Sequence, residues 1–137
     1  MRFLLDTDTC VFWLRGHASL RSRMTHAIEE EDGAAPAISV ITLAELRYGA
    51  ACSARSGENH QAINDFASAL TILPVSLEAA RLFGDMKANL RREGMLIEDL
   101  DLLIATTARA YDLTLVTNNR GHFERIADLQ LENWVEG

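Results

Sequence analysis

The chain has little cysteine, almost no lysine and no long apolar run, and each shortage removes a class of protein. Its two cysteines, Cys10 and Cys52, lie in apolar, helix-like surroundings, with no CxxC pair and no histidine at ligand spacing. A disulfide framework is therefore excluded, and both thiols are expected to be reduced core residues. Uncharged stretches such as Gly33 to Ala44 fall well short of the roughly 20 apolar residues that a membrane span requires. The opening Met1-Arg2-Phe3-Leu4-Leu5-Asp6 is too short and too soon interrupted by an acid to be a secretory leader, so a cytoplasmic location is the expectation. Positive charge is also scarce: the net charge is -7, and Lys87 is the only lysine among 13 basic residues. That balance excludes a general nucleic-acid coat, because affinity for phosphate backbones comes mainly from clustered Lys and Arg. It does not exclude an enzyme with a local basic rim around an acidic site.

What is present suffices for one domain with one sizeable core, since 48% of the 137 residues are hydrophobic. Short apolar runs bounded by turn residues predict strands at Arg2 to Asp6, Ala37 to Ser39, Thr71 to Val75, Leu113 to Val116 and Leu129 to Trp134. Pro74 puts the third at an edge or a strand end. Between them, apolar residues recur every three or four positions and predict helices. The first follows Asp6 at once, capped by Thr7 or Asp8 and ended at Gly16. Others run from Ala18 to Glu31, Val40 to Arg55, Glu58 to Leu70, from a Ser76 cap to Gly94, and from Glu98 to Tyr111; His122 to Ile126 reads as one further turn. In the helix from Val40, the apolar face is read as Ile41, Ala44, Tyr48, Ala51 and Cys52. Strands alternating with helices imply an α/β sandwich around a mainly parallel sheet.

Three acids stand out against this frame. Asp6 ends the first strand, where parallel sheets open the crevice that binds ligands, although a helix N-cap is an equally good use of an aspartate there. Glu45 shares a helix face with apolar residues, a costly place for an unpaired carboxylate. It also completes a capping box with Thr42, and that explanation is the stronger one for Glu45 alone. Asp101 lies between Leu100 and Leu102 and shares a face with Ile97, Ile104, Ala105 and Ala108. The helix dipole accounts well for Glu98 and Asp99 but poorly for Asp101.

Neighbouring buried acids raise one another's pKa and cannot all stay ionised without compensation. A hard cation such as Mg²⁺ resolves the conflict, because it takes one or two carboxylates together with waters and substrate phosphates. The four histidines, His17, His26, His60 and His122, are scattered and read as solvated; no HxH or HExxH pattern supports zinc.

Four blocks then occur in order: Phe3-Leu4-Leu5-Asp6-Thr7-Asp8; Ser39 to Gly49, with Glu45-Leu46-Arg47-Tyr48-Gly49 at its end; Asp101-Leu102-Leu103-Ile104-Ala105; and Leu115-Val116-Thr117-Asn118-Asn119-Arg120-Gly121-His122-Phe123. Together they closely resemble a PIN-domain ribonuclease of the VapC toxin type, over essentially the whole chain. The resemblance implies a three-layer α/β/α sandwich, dimerisation into a homodimer, and a VapB-like antitoxin whose C-terminal segment blocks the catalytic groove. It implies hydrolysis of RNA phosphodiesters with Mg²⁺, or with Mn²⁺ in its place. By position, Asp6, Glu45 and Asp101 match the metal ligands. Asn119 falls where many members have a fourth acid and others asparagine, which favours one metal over two. Thr117 and Asn118 would line the same pocket, and Arg47, Arg91, Arg92 and Arg120 are candidates for a basic rim that holds the RNA.

Two rivals remain open at this stage. Asp6-Thr7-Asp8 is also the DxD of a haloacid-dehalogenase-like phosphatase, with Asp6 as nucleophile, although the chain is short for that class and its sole lysine sits on a basic helix that reads as exposed. The other rival is a non-catalytic binding protein on the same fold.

Overall fold

The computed structural model describes residues 1–136. Its elements, in chain order, are β1 (Phe3–Leu5), α1 (Thr7–Leu14), α2 (Ala18–Glu30), β2 (Ala37–Ser39), α3 (Val40–Ala51), α4 (Ser56–Ser68), β3 (Thr71–Leu73), α5 (Leu77–Arg92), α6 (Asp99–Ala110), β4 (Thr114–Val116), α7 (Arg120–Phe123) and β5 (Leu131–Glu132). The five strands form one parallel sheet in the order β3-β2-β1-β4-β5.

The strands read as unbroken apolar runs because both faces of the sheet are covered. Successive side chains leave a strand on opposite faces, so Phe3 and Leu5 enter one core while Leu4 enters the other. The first core packs α1, α2, α3 and α4 against the sheet through Leu20, Met24, Leu46 and Phe66, and Trp134 closes it edge-on against Phe3 at 4.9 Å. The second packs α5 and α6 through Leu90, Leu102, Ile104 and Ala108. Each such leucine or isoleucine contributes on the order of 1.5–3 kcal/mol by leaving water. The expected three-layer sandwich is therefore observed.

Local chemistry explains most element boundaries and several departures from the sequence-based expectation. Asp6, rather than Thr7 or Asp8, caps α1: its Oδ1 accepts from the Thr9 amide at 2.9 Å. Ser39 caps α3 by accepting from the Ile41 amide at 3.0 Å, so Thr42 lies within the helix and the expected capping box with Glu45 does not form. The helix expected from Glu58 begins two residues earlier, so that Ser56 and Gly57 open α4, and α3 stops at Ala51 rather than Arg55. The buried face of α3 is Thr42, Leu46 and Ala50, whereas Ala44, Tyr48, Ala51 and Cys52 are exposed. Cys52 is thus a surface thiol, and only Cys10 belongs to the core. Pro74 lies just beyond β3, which is an edge strand as expected. The last strand shrinks to Leu131 and Glu132, and the last helical turn begins at Arg120 rather than His122. Among the described residues, no helix is long and apolar enough to cross a membrane.

Candidate active site

The sheet topology itself marks the crevice. From β1 the chain moves outward through β2 to β3, then crosses back to place β4 on the other side of β1. The carboxyl ends of β1 and β4 therefore flank the point where the winding reverses, the usual ligand site of an open parallel sheet. Asp6 follows β1 there and Thr117 follows β4. The Asp6 amide donates to the Val116 carbonyl at 3.0 Å, and the Thr9 hydroxyl donates to the same carbonyl at 3.1 Å. These bonds fix α1, and with it the Asp6 carboxylate, against the end of β4.

Asp6 is only 5% exposed. Burial pushes its pKa above the usual aspartate value, against the opposing effect of the Thr117 hydroxyl and of the Thr9 amide and hydroxyl, and the Asp8 charge adds to the rise. Asp101, in the first turn of α6, is half-buried. Its pKa is likewise raised by burial; His122 pulls it down, while the charges of Glu45, Glu98 and Asp6 push it up. The mutual repulsion is the electrostatic signature of carboxylates gathered at one place from β1, α3 and α6.

Glu45 is held from across the crevice. Thr7, in the first turn of α1, donates to Glu45 Oε1 at 2.7 Å, and its Oγ1 is 3.1 Å from that of Thr42. Sequence spacing gave no hint of this contact, because the partners are 38 residues apart. Beside it runs a groove of about 370 Å³ between α1, α3 and α4, polar at Thr7, Arg15 and Glu45 and apolar at Val11, Leu46 and Ile63.

The remaining candidates divide. Thr117 is fully buried and its Oγ1 accepts from the Asn119 amide at 2.9 Å, which orders the turn after β4. Asn119 caps α7 without a side-chain hydrogen bond and is exposed, as is Asn118, whose Oδ1 accepts from Asn133. Arg120 is exposed at the start of α7. Arg91 and Arg92 are exposed in the last turn of α5; Lys87, one turn earlier, bridges Asp99 of α6 at 2.7 Å, so this end of α5 lies beside the first turn of α6. The sole lysine is therefore paired, with an acid two residues from Asp101, on a helix face that is exposed as expected. Arg47 is turned to α4, where it bonds His60 and Asn64. His122 departs most from expectation. Its Nε2 is buried and lies 3.3 Å from Asp101 Oδ2, too poorly aligned for a hydrogen bond.

Among the described residues no three His, Cys, Asp or Glu side chains close into a ready-made metal cage. The donor set still fits a hard cation, which is usually held by one or two carboxylates with waters completing the shell. Asp6 and Asp101, both with pKa values raised by burial, and the Glu45 charge that acts on Asp101 make the charge imbalance that such an ion relieves.

A parallel sheet with carboxylates converging at its switch point defines a class. The PIN domain family model matches residues 3–129, and the chain belongs to that family. Within it, the chain falls among the VapC ribonucleases. It is 37% identical over 134 residues to Ribonuclease VapC2 of Rickettsia felis, covering 98% of both chains. It is 36% identical over 135 residues to the tRNA(fMet)-specific endonuclease VapC of Shigella flexneri, again over 98% of each. The crystal structure of VapBC2 from Rickettsia felis bound to a promoter DNA fragment matches with a TM-score of 0.89 and 36% identity, over 98% of this chain and 99% of that one. The phosphatase alternative is not favoured by these relatives.

Proposed function

We propose that the chain is the ribonuclease toxin of a toxin–antitoxin pair, hydrolysing RNA phosphodiester bonds with a divalent cation held by Asp6, Glu45 and Asp101. The observation that carries this reading is the buried Asp6 at the switch point, electrostatically coupled to Asp101, which in turn feels Glu45. A bound Mg²⁺, or Mn²⁺ in its place, supplies a Lewis acid that activates water and offsets charge on the phosphoryl group.

The chain's own residues do the rest. The Thr9 amide and the Thr117 hydroxyl favour the ionised form of Asp6, and the Thr7 hydroxyl fixes Glu45 toward the crevice. Preorganised carboxylates of this kind cost no reorganisation when charge develops in the transition state. Arg91 and Arg92 of α5 and Arg120 of α7, all exposed, are the candidates for contacts to the RNA backbone, with Asn118 and Asn119 as polar neighbours of Arg120. Arg47 contributes by tying α3 to α4. The groove beside Glu45 suits the apolar segment of a VapB-like antitoxin, which would cover the acids. The exposed Val40, Tyr48, Leu77 and Leu100 offer apolar surface for a second copy of the chain in a homodimer.

The purified protein should cut structured RNA in Mg²⁺ or Mn²⁺, with transfer RNA the first substrate to try, because the Shigella relative is a tRNA(fMet)-specific endonuclease. Asp6→Asn and Asp101→Asn should each abolish cutting while leaving a cooperative melting transition. Cleavage that survives both substitutions, or that persists in EDTA, would refute the reading.

A further inference from the structure

We propose that His122, rather than Asn119, supplies the fourth corner of the cation site, as a neutral imidazole nitrogen beside Asp101. This rests on the metal-dependent reading of the site. The sequence offers Asn119 for that corner, but its side chain is exposed and makes no hydrogen bond at the α7 cap. His122, three residues later, is brought back toward the acids by the single turn of α7. Its backbone amide donates to the Asn119 carbonyl at 3.2 Å, and its ring stands edge-on to Phe123 at 5.3 Å and 88°. Phe123 is itself core, 2% exposed, so the imidazole is braced on an immobile neighbour.

The ring nitrogen beside Asp101 is the distinctive feature. Among the described residues His122 Nε2 is the one buried side-chain nitrogen or oxygen without a hydrogen-bond partner, an arrangement that folded chains ordinarily avoid. A simple ion pair would be expected to turn the ring until the N–H pointed at the carboxylate. Instead Nε2 and Oδ2 sit side by side at 3.3 Å without alignment. Neighbouring ligand atoms in an octahedral shell with bonds of 2.0–2.1 Å are about 3 Å apart, so the pair has the spacing of two ligands on one edge. Imidazole donors favour first-row transition ions, whereas carboxylate, carbonyl and water suit Mg²⁺. A nitrogen at this corner therefore makes the site more favourable to Mn²⁺, relative to Mg²⁺, than an all-oxygen site would be.

The test is pulsed EPR on the full-length protein loaded with one equivalent of Mn²⁺. A directly bonded ¹⁴N coupling is expected, replaced by a ¹⁵N coupling when the protein is grown with ¹⁵N-histidine, and lost in His122→Gln. Calorimetric titration should show His122→Gln weakening Mn²⁺ about tenfold and Mg²⁺ much less, because the glutamine oxygen still suits the harder ion. Bound Mn²⁺ that is sensitive to Asp6→Asn but shows no nitrogen coupling, or an unchanged Mn²⁺-to-Mg²⁺ ratio in His122→Gln, would overturn the assignment of His122 alone. Mn²⁺ binding that neither Asp6→Asn nor Asp101→Asn weakens would overturn the metal-site reading and this assignment with it. Isotope labelling requires no substitution, so the outcome does not depend on the variant folding.

Discussion

Replacing Thr7 by valine removes one hydroxyl and nothing else of consequence, and the structure assigns that hydroxyl a definite task. It donates to Glu45 Oε1 at 2.7 Å and lies 3.1 Å from Thr42 Oγ1, both contacts crossing from α1 to α3. A hydrogen bond to a charged acceptor contributes about 1.5–3 kcal/mol, and partial exposure places this one at the low end. Valine keeps the branched shape and a similar helix propensity, so the expected loss is about 2 kcal/mol. For a domain of this size that corresponds to a fall in Tm of about 8 °C. Urea denaturation of Thr7→Val, Glu45→Ala and the double variant should return a coupling energy of about 1.5 kcal/mol. Because partners of metal-binding side chains usually affect metal affinity or activity 10–100-fold, cleavage should fall about tenfold in Thr7→Val at limiting Mg²⁺. A coupling energy below about 0.5 kcal/mol, the range of additivity for independent sites, would show that Thr7 does not position Glu45.

Three further outcomes follow from the same structure. Burial raises the pKa of Asp6, so the folded state binds that proton more tightly than the unfolded chain. Its stabilising contribution is complete below the unperturbed value of 3.8 and is lost as pH rises through the folded value. In metal-free protein, Asp6→Asn should therefore flatten the loss of Tm as pH is raised from that value toward neutrality; parallel profiles for the two proteins would contradict this. Ser76 caps α5 by accepting from the Ala79 amide at 3.1 Å, well away from the acids. Ser76→Ala should cost about 1 kcal/mol in denaturant titrations with cleavage unchanged. Cys52 should react with a thiol reagent in the native protein, whereas Cys10, buried and with its pKa pushed well up, should react only after unfolding; two fast thiols would refute the placement of Cys10.

Much of the architecture was legible because buried parallel strands and two-sided helices leave strong patterns. The runs at Phe3–Leu5, Ala37–Ser39 and Thr114–Val116 could hardly be anything else, and Ser76 announced α5. The face of α3 was misread for a physical reason. Its buried side is built from Thr42, Leu46 and Ala50, of which a hydrophobicity count undervalues the threonine and the small alanine, while Tyr48 and Cys52 suggested the opposite side and are exposed. Strand β2 runs straight into α3, so the cap fell to Ser39, three residues before the threonine that the capping-box motif selected.

The site divides along similar lines. Asp101 could be singled out from local context, since a cap explains it poorly, whereas context alone could not separate Asp6 from a helix cap, which it also is. Thr7 and His122 could not be singled out. Their partners lie on other elements, and the contacts exist only after α1 has packed on α3 and α7 has folded beneath α6. The reading of His122 as solvated failed because ligand-spacing rules detect pairs on one helix, whereas this pairing joins two helices separated by a strand and a turn.

The bond from the Asp6 amide to the Val116 carbonyl also bears on the order in which the chain is made. Asp6 leaves the ribosome well before its backbone partner, which is synthesised 110 positions later, after all six longer helices. A nascent chain interrupted before β4 lacks the strand that forms one wall of the crevice, and one interrupted before α6 lacks Asp101 as well. The crevice is thus incomplete until β4 has been made, and nonsense or frameshift mutations anywhere upstream of β4 should abolish cutting.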